Sequence, residues 1–387
     1  MPNFKNNSYS KRILIVSHNG RLKGGAQFSL LSFLKSISKK EFDITVSIPI
    51  YEGLDQELSE IGIKCIRLYN YRWDENYNFR ILKFARSFFA CFLDLVKMYI
   101  FVRKNNIQLI ITNTIFPLSG AIVAKVMGIK HVWHVRESIL DDNYNFFLKN
   151  ELVSKIVGKL SFKIFVPSKF IKCNSIQSSD VDKTVIIPNN LDIRDFKNFD
   201  YQNLKGIVRV GMIGSISPIK GQIKIVELAK LFKGEKIMFY IIGNVSSNTS
   251  SYEYFKNLKK YITKESMAEQ LIIKNFMPRE DAYKNLDVII NFCEVEAFGR
   301  TIIESMAAKK IIISVNRGAA AELINDNRDG FLFEPNESEK IFDIINKLRT
   351  SKTLYYKIAR EGYLSVEKKY TSLPVKKYMN SIKQILG

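Results

Sequence analysis

The chain has 387 residues, too many for one ordinary hydrophobic core and suited to two domains of roughly 190 residues each. Its net charge of +21 is spread evenly, 29 basic against 18 acidic residues up to position 200 and 30 against 20 beyond it, which disfavours a nucleic-acid tail and suits either anionic lipid headgroups or a plainly Lys-rich composition. Cys65, Cys91, Cys173 and Cys293 lack C-x-x-C spacing and make no ligand pattern with His18, His131 and His134, so a reducing compartment without structural zinc is expected.

Met1 to Lys11 is polar, without the apolar stretch of a signal peptide, and a cytoplasmic protein is expected. Arg12 to His18 reads as a first strand, and the Gly-rich loop Gly20 to Gln27 leads into a helix from about Phe28 to Ile37. Gly24 and Gly25, just before that helix, make an anion-receptive end. Between Phe79 and Lys104, at about 100° per residue, Arg80, Lys83, Arg86, Asp94, Lys97 and Lys104 share about a third of the helix circumference, and the rest is apolar. No charge-free run there reaches the ~20 residues of a membrane span. Both a core-packed helix and an interfacial helix on an anionic membrane fit this pattern, and Tyr69, Tyr71, Trp73 and Tyr77 before it suit an acceptor cleft or a membrane rim.

Ile107 to Thr114 and Val132 to Glu137 read as further strands, the second carrying His134, Arg136 and Glu137, the last two suited to pairing with each other. Phe165 to Lys169 and Val185 to Asp192 follow, with Asn190 tolerating a left-handed turn. The polar stretch Asp195 to Leu204, near the middle, is the best linker. Val210 to Ile213 opens a second set of strands, and its loop carries Gly214, Ser215 and Lys220.

The most telling pattern lies where the buried run Asp287 to Phe292 gives way to the helical run Thr301 to Lys309. Gly299 then sits at a helix N-terminus, where unpaired amides and the positive end of the dipole attract a diphosphate. Glu296 precedes that helix and Glu304 lies more than a turn inside it, so the two carboxylates reach different ends of one ligand and accept hydrogen bonds from its hydroxyls. Ile311 to Val315, a turn at Gly318, a helix carrying Glu322 and the strand around Phe331 complete an alternating βα order, ended by a helix from Ser372 to Leu386. These alternations give two doubly wound α/β units.

The segment Glu296-Ala297-Phe298-Gly299 through Glu304 resembles the Glu-x7-Glu motif of the GT4 family of retaining glycosyltransferases, which have the GT-B fold. The softer resemblance runs from about Ile13 to Phe333. It implies two Rossmann-like domains facing across a cleft: residues 1–195 on the acceptor side, 196–371 binding the nucleotide-sugar, and a C-terminal helix, 372–387, crossing back to the first. It further implies that Glu296 contacts the donor sugar, that Glu304 contacts the ribose, and that amides from Phe298 through Gly299, Arg300 and Thr301 to Ile302 hold sugar and diphosphate. Lys220 would bind phosphate, His134 would face the acceptor, and Gly24 and Gly25 would lie against the diphosphate. No metal or other cofactor is implied. The family's arginine after the loop glycine is here Ser215, which makes Arg300 a candidate substitute cation.

The expected activity is transfer of a sugar from a nucleotide-sugar to a saccharide or lipid-linked acceptor in bacterial cell-surface polysaccharide synthesis, with peripheral contact at an anionic membrane and no nucleic acid. A sugar-nucleotide epimerase of the same fold and a non-catalytic sugar-binding subunit of a membrane assembly remain open.

Overall fold

A computed structural model describes residues 11–22, 24–37, 41–68, 81–139, 146, 148–201, 204, 206–246 and 249–387, with side chains of the helix Ile81–Lys104 described from residue 92 onward. The readings placed on Met1 to Ser10, Lys23, Tyr69, Tyr71, Trp73, Tyr77, Phe79 and Arg80, and on the side chains of Lys83 and Arg86, lie outside the described residues. The chain divides into two compact units, Met1–Asn190 with Leu373–Gly387, and Leu191–Ser372.

The first unit is built on seven parallel strands: β1 (Lys11–Ser17), β2 (Phe42–Ile48), β3 (Lys64–Arg67), β4 (Leu109–Asn113), β5 (Lys130–His134), β6 (Lys163–Val166) and β7 (Thr184–Ile186), in the order β3-β2-β1-β4-β5-β6-β7. Runs such as Ile13-Leu14-Ile15-Val16 and Leu109-Ile110-Ile111 are buried on both faces, as a parallel sheet covered by helices requires. One face packs on the helix Gly25–Ser36 and on Tyr378, Met379, Ile382 and Ile385 of the C-terminal helix Ser372–Leu386. The other packs on Met98 and Val102 of the helix Ile81–Lys104 and on Val123 and Ala124 of the helix Ser119–Met127. Strand order reverses between β1 and β4, which places Ser17 beside Asn113, and Asn113 beside His134, at the carboxyl edge.

The second unit has six parallel strands: β8 (Val208–Ile213), β9 (Ile237–Ile242), β10 (Leu271–Lys274), β11 (Val288–Asn291), β12 (Ile311–Val315) and β13 (Phe331–Phe333), ordered β10-β9-β8-β11-β12-β13. Its switch point lies between β8 and β11, so the loops following these two strands leave the sheet side by side.

Several expectations are corrected. The stretch Asp195 to Leu204 is no open linker: Phe196 and Phe199 are buried in the second unit's core, where their rings lie 5.9 Å apart and both flank Tyr283, and the units divide earlier, at Asn190. Apolar aromatics outweighed the surrounding polar residues. Asn190 does not adopt the left-handed backbone expected of it. Its buried side-chain amide instead donates to Ser32 O (3.2 Å) and Ser36 Oγ (3.1 Å), tying β7's exit to the helix Gly25–Ser36. That helix begins at Gly25 rather than near Phe28.

Candidate active site

In the second unit, the turn after β11 places Glu296 ahead of the helix Arg300–Ala307, which starts one residue earlier than its apolar periodicity suggests. Gly299 caps it in a left-handed backbone (φ 87°), which favours glycine, and a Cβ there would have to displace the side-chain end of Leu323, whose Cδ1 would lie 2.7 Å away. The Gly299 N–H donates to Glu296 Oε1 (3.1 Å), and Lys220 Nζ donates to Glu296 Oε2 (2.8 Å). Lys220 ends a 3-10 turn, Pro218–Lys220, in the loop following β8, and Gly221 closes that turn in a left-handed conformation. A second pair, Lys224 with Glu294 at 2.6 Å, runs parallel to the first. The loop following β11 is thus joined by one ion pair to the loop following β8 and by another to the first turn of the helix Ile223–Leu231.

Neighbouring residues hold this arrangement. Gln222 Nε2 donates to Ser215 O (2.8 Å), fixing the loop whose exposed Ser215 stands where the resembled family has arginine. Gly318, at φ 58°, lies so close to the Glu296 turn that a Cβ would meet Glu296 N at 2.7 Å, and Ala319 N–H donates to Glu296 O (2.8 Å). Gln222 and Gly318 therefore position the two sides of the Lys220–Glu296 pair. Burial pushes the neighbouring Cys293 thiol up to about 11, which keeps it protonated.

Glu304 is 7 % exposed and gathers three partners. Arg300 Nε donates to its Oε1 (2.6 Å), Arg279 Nε lies 3.5 Å from the same oxygen, and Tyr283 OH donates to Oε2 (3.2 Å). Burial together with the Glu304 charge holds the Tyr283 phenol well above its ordinary value, so the hydroxyl remains a donor. Arg300, proposed from sequence as a cation for a diphosphate, thus directs its Nε to Glu304 one turn on. The Ile302 N–H donates to Gly299 O (3.0 Å), closing the first turn, so it is committed within the helix. Phe298 is buried against Tyr370 and packs the turn.

In the first unit, Gly24 caps the helix Gly25–Ser36 in an extended conformation, and a Cβ at Gly25 would meet nothing within 4 Å. Nothing in the fold therefore requires glycine at position 25. His134 is 3 % exposed, beneath Tyr378 of the C-terminal helix, with ring centroids 5.8 Å apart. Burial, reinforced by the Arg136 charge, holds its imidazole well below the ordinary value, so it is neutral. Arg136 NH2 reaches His134 Nδ1 at 3.4 Å, which assigns the ring proton to Nε2, a buried nitrogen with no hydrogen-bond partner. His134 borders a small, partly open pocket of about 10 Å³, together with Arg136, Asn189 and Asn190. The Arg136 guanidinium also donates to Asn113 Oδ1 (2.8 Å) and to Asn189 Oδ1, while the Glu137 carboxylate accepts the N–H groups of Ile115 (3.0 Å) and Arg136 (3.2 Å).

Sequence reasoning missed His18 and Thr114. At the β1/β4 switch point His18 Nδ1 meets Thr114 Oγ1 (3.1 Å) and its Nε2 meets Gln27 Nε2 (3.2 Å). Thr114 has φ 83°, a strained conformation for a β-branched residue, held by its N–H to His134 O (2.9 Å) and by Trp133 Nε1 donating to its carbonyl (2.8 Å). No sequence signal marks a positive φ at threonine. Among the described residues no group of three or more His, Cys, Asp or Glu side chains is placed to hold a metal ion, and no helix is long and apolar enough to cross a membrane.

Two Rossmann-like units, each with a parallel sheet and its own switch point, give the chain the GT-B fold. Residues 194–364, less than half of the chain, match the family described as Glycosyl transferases group 1, and this match with the relatives below indicates a glycosyltransferase enzyme. An uncharacterised glycosyltransferase of Methanocaldococcus jannaschii is 24 % identical over 264 residues, 65 % of this chain and 70 % of that protein. The lipopolysaccharide 1,2-N-acetylglucosaminetransferase of Salmonella typhimurium is 26 % identical over 224 residues, 54 % of this chain and 58 % of that protein. In fold, the chain is similar to Anabaena HepE, whose crystal structure was determined in complex with UDP-glucose: the TM-score is 0.79 at 19 % identity, over 96 % of this chain and 99 % of that one.

Proposed function

We propose that the protein is a retaining, GT4-type hexosyltransferase that moves a sugar from a nucleotide-sugar to a hydroxyl of a saccharide or lipid-linked acceptor during cell-surface polysaccharide synthesis. It works at the cytoplasmic face of an anionic membrane, in peripheral contact with it. The observation that carries this reading is the Lys220–Glu296 pair, 2.8 Å apart on two switch-point loops beside the Gly299 helix start. A lysine and leading amides suit a diphosphate, and a carboxylate beside them suits sugar hydroxyls. The Salmonella relative's named reaction and the UDP-glucose held by HepE point the same way.

In the reaction we propose, the acceptor oxygen attacks the anomeric carbon from the face that the leaving group departs. The carbon–oxygen bond to the diphosphate breaks, the new glycosidic bond forms, and the acceptor's proton passes to the leaving phosphate oxygen. Charge grows on that phosphate, so Lys220 and the N–H groups of Arg300 and Thr301 do most of their stabilising in the transition state. Glu296 orients the sugar. Glu304, aligned by Arg300 and Arg279, takes the ribose. Neutral His134 offers its Nε2–H to a hydroxyl, and the open space at Gly25 lets backbone approach a phosphate. No metal is assigned a part in these steps.

The test is incubation of the purified chain with UDP- and GDP-sugars, with and without saccharide acceptors, and analysis of product anomers by NMR. Retention of anomeric configuration in an acceptor-dependent product supports the reading. Inversion, or an epimerised sugar nucleotide formed without acceptor, sinks it.

A further inference from the structure

From residue 92 onward, the helix Ile81–Lys104 packs on the first unit's sheet with only part of its apolar surface. Asp94, Met98 and Val102 turn inward and are buried. On the opposite side Phe92 is 56 % exposed, Leu93 40 %, Val96 36 % and Ile100 56 %. At about 100° per residue these four, with exposed Lys97, Arg103 and Lys104, occupy an arc of about 140°. Large apolar side chains are expensive to leave in water, and here they are aligned rather than scattered.

What covers this arc is indicated by charge. The helix sequence carries Lys83, Arg86, Lys97, Arg103 and Lys104 against a single acid, Asp94, which is buried. Exposed Lys64 adds a further cation, its Nζ 5.6 Å from the Phe101 ring. A second copy of so basic a face would repel it. Apolar side chains interleaved with long cationic ones match the boundary between acyl chains and anionic headgroups, where lysine and arginine stems lie along the apolar layer and their charges reach phosphate. We propose that this arc docks the first unit on an anionic bilayer, with Phe92, Val96 and Ile100 entering the headgroup boundary and Lys97, Arg103 and Lys104 pairing with lipid phosphates. This rests on the peripheral contact proposed above and assigns it a surface.

The experiment is co-sedimentation of the full chain with vesicles of phosphatidylcholine alone or mixed with phosphatidylglycerol, at low and raised salt. The expected result is binding to the mixed vesicles that weakens as salt rises. Val96→Asn with Ile100→Asn, and separately Lys97→Glu with Lys104→Glu, should lower the bound fraction at least about tenfold, with unchanged melting temperatures. Lys256→Glu with Lys260→Glu, on the second unit's helix Thr249–Lys264, makes the same change in net charge and should leave binding intact. The proposal is overturned by no binding, by equal loss in both charge-reversal pairs, or by a dimer that Val96→Asn with Ile100→Asn converts to monomer. Neither donor nor acceptor enters this assay, so its failure leaves the transfer reading standing, and a failed transfer assay leaves the docking face standing.

Discussion

Lys220 Nζ and Glu296 Oε2, 2.8 Å apart, join the loops that leave β8 and β11 at the point where the strand order reverses. Both side chains are mostly buried, so each screens the other from standing as a bare charge. If the lysine holds the leaving diphosphate and the carboxylate the sugar, Lys220→Ala and Glu296→Gln should each lower kcat by about 10²–10³. Because the residues act together, the double variant should lose much less than the product of the single losses. Steady-state kinetics on the four proteins tests this, and full activity in Glu296→Gln would remove the carboxylate from the mechanism.

Gly318 and Gly25 separate structural from ligand-facing glycine. Gly318→Ala combines a positive φ with a Cβ driven onto the Glu296 backbone, and should cost about 1–3 kcal/mol of stability and disturb the Glu296 turn. Gly25→Ala meets open space and should leave the melting temperature unchanged. If backbone at Gly25 approaches a phosphate, transfer should still fall. Paired thermal unfolding and activity assays distinguish the cases, and unchanged activity in Gly25→Ala removes that contact.

Arg300 and Glu304, one helical turn apart and 2.6 Å at their nearest atoms, make a separate prediction. Arg300→Gln frees a buried carboxylate beside Tyr283, so it should destabilise the fold by about 1–3 kcal/mol and raise the KM for donor more than it lowers kcat. Arg279→Gln removes a longer, more exposed contact and should do the same more weakly. Donor affinity unchanged in Arg300→Gln would show that the aligned carboxylate does not touch the nucleotide.

Stability should fall with acid through His131. Thr112 Oγ1 and Leu160 O bond its two ring nitrogens, and burial lowers its pKa from 6.5 to about 4. The unfolded chain takes up this proton near pH 6.5, whereas the folded protein refuses it until about pH 4. The stabilising contribution is therefore complete above the unfolded value and is lost between the two, by at most about 1.4 kcal/mol per pH unit for this one group. Denaturant unfolding across that window should show a shallower slope in His131→Gln. Identical slopes would contradict the assignment.

The strands and the site helix were legible because parallel sheets write themselves as runs such as Ile311-Ile312-Ile313, and because a glycine between such a run and an amphipathic one marks a helix start. Glu296, Lys220 and Gly299 followed from that pattern and its resemblance. What stayed hidden depends on contacts between distant segments. Arg279 and Tyr283 reach Glu304 from another element, Gln222 bonds across a loop, and Thr114 adopts a backbone its own type disfavours. Phe196 and Phe199 were concealed by the polar residues around them, and only the core they enter shows them to be structural.

The placement of the C-terminal helix bears on how the protein is made. Tyr378, Met379, Ile382 and Ile385 belong to the core that buries Phe33, and the whole second unit intervenes in the chain before them. On a ribosome the first unit emerges first but lacks this wall of its interior until residues 373–387 leave the exit tunnel, by which point the second unit is already complete. Of the two units, the one begun earlier is therefore finished later, and until then its apolar face is the surface most in need of a chaperone.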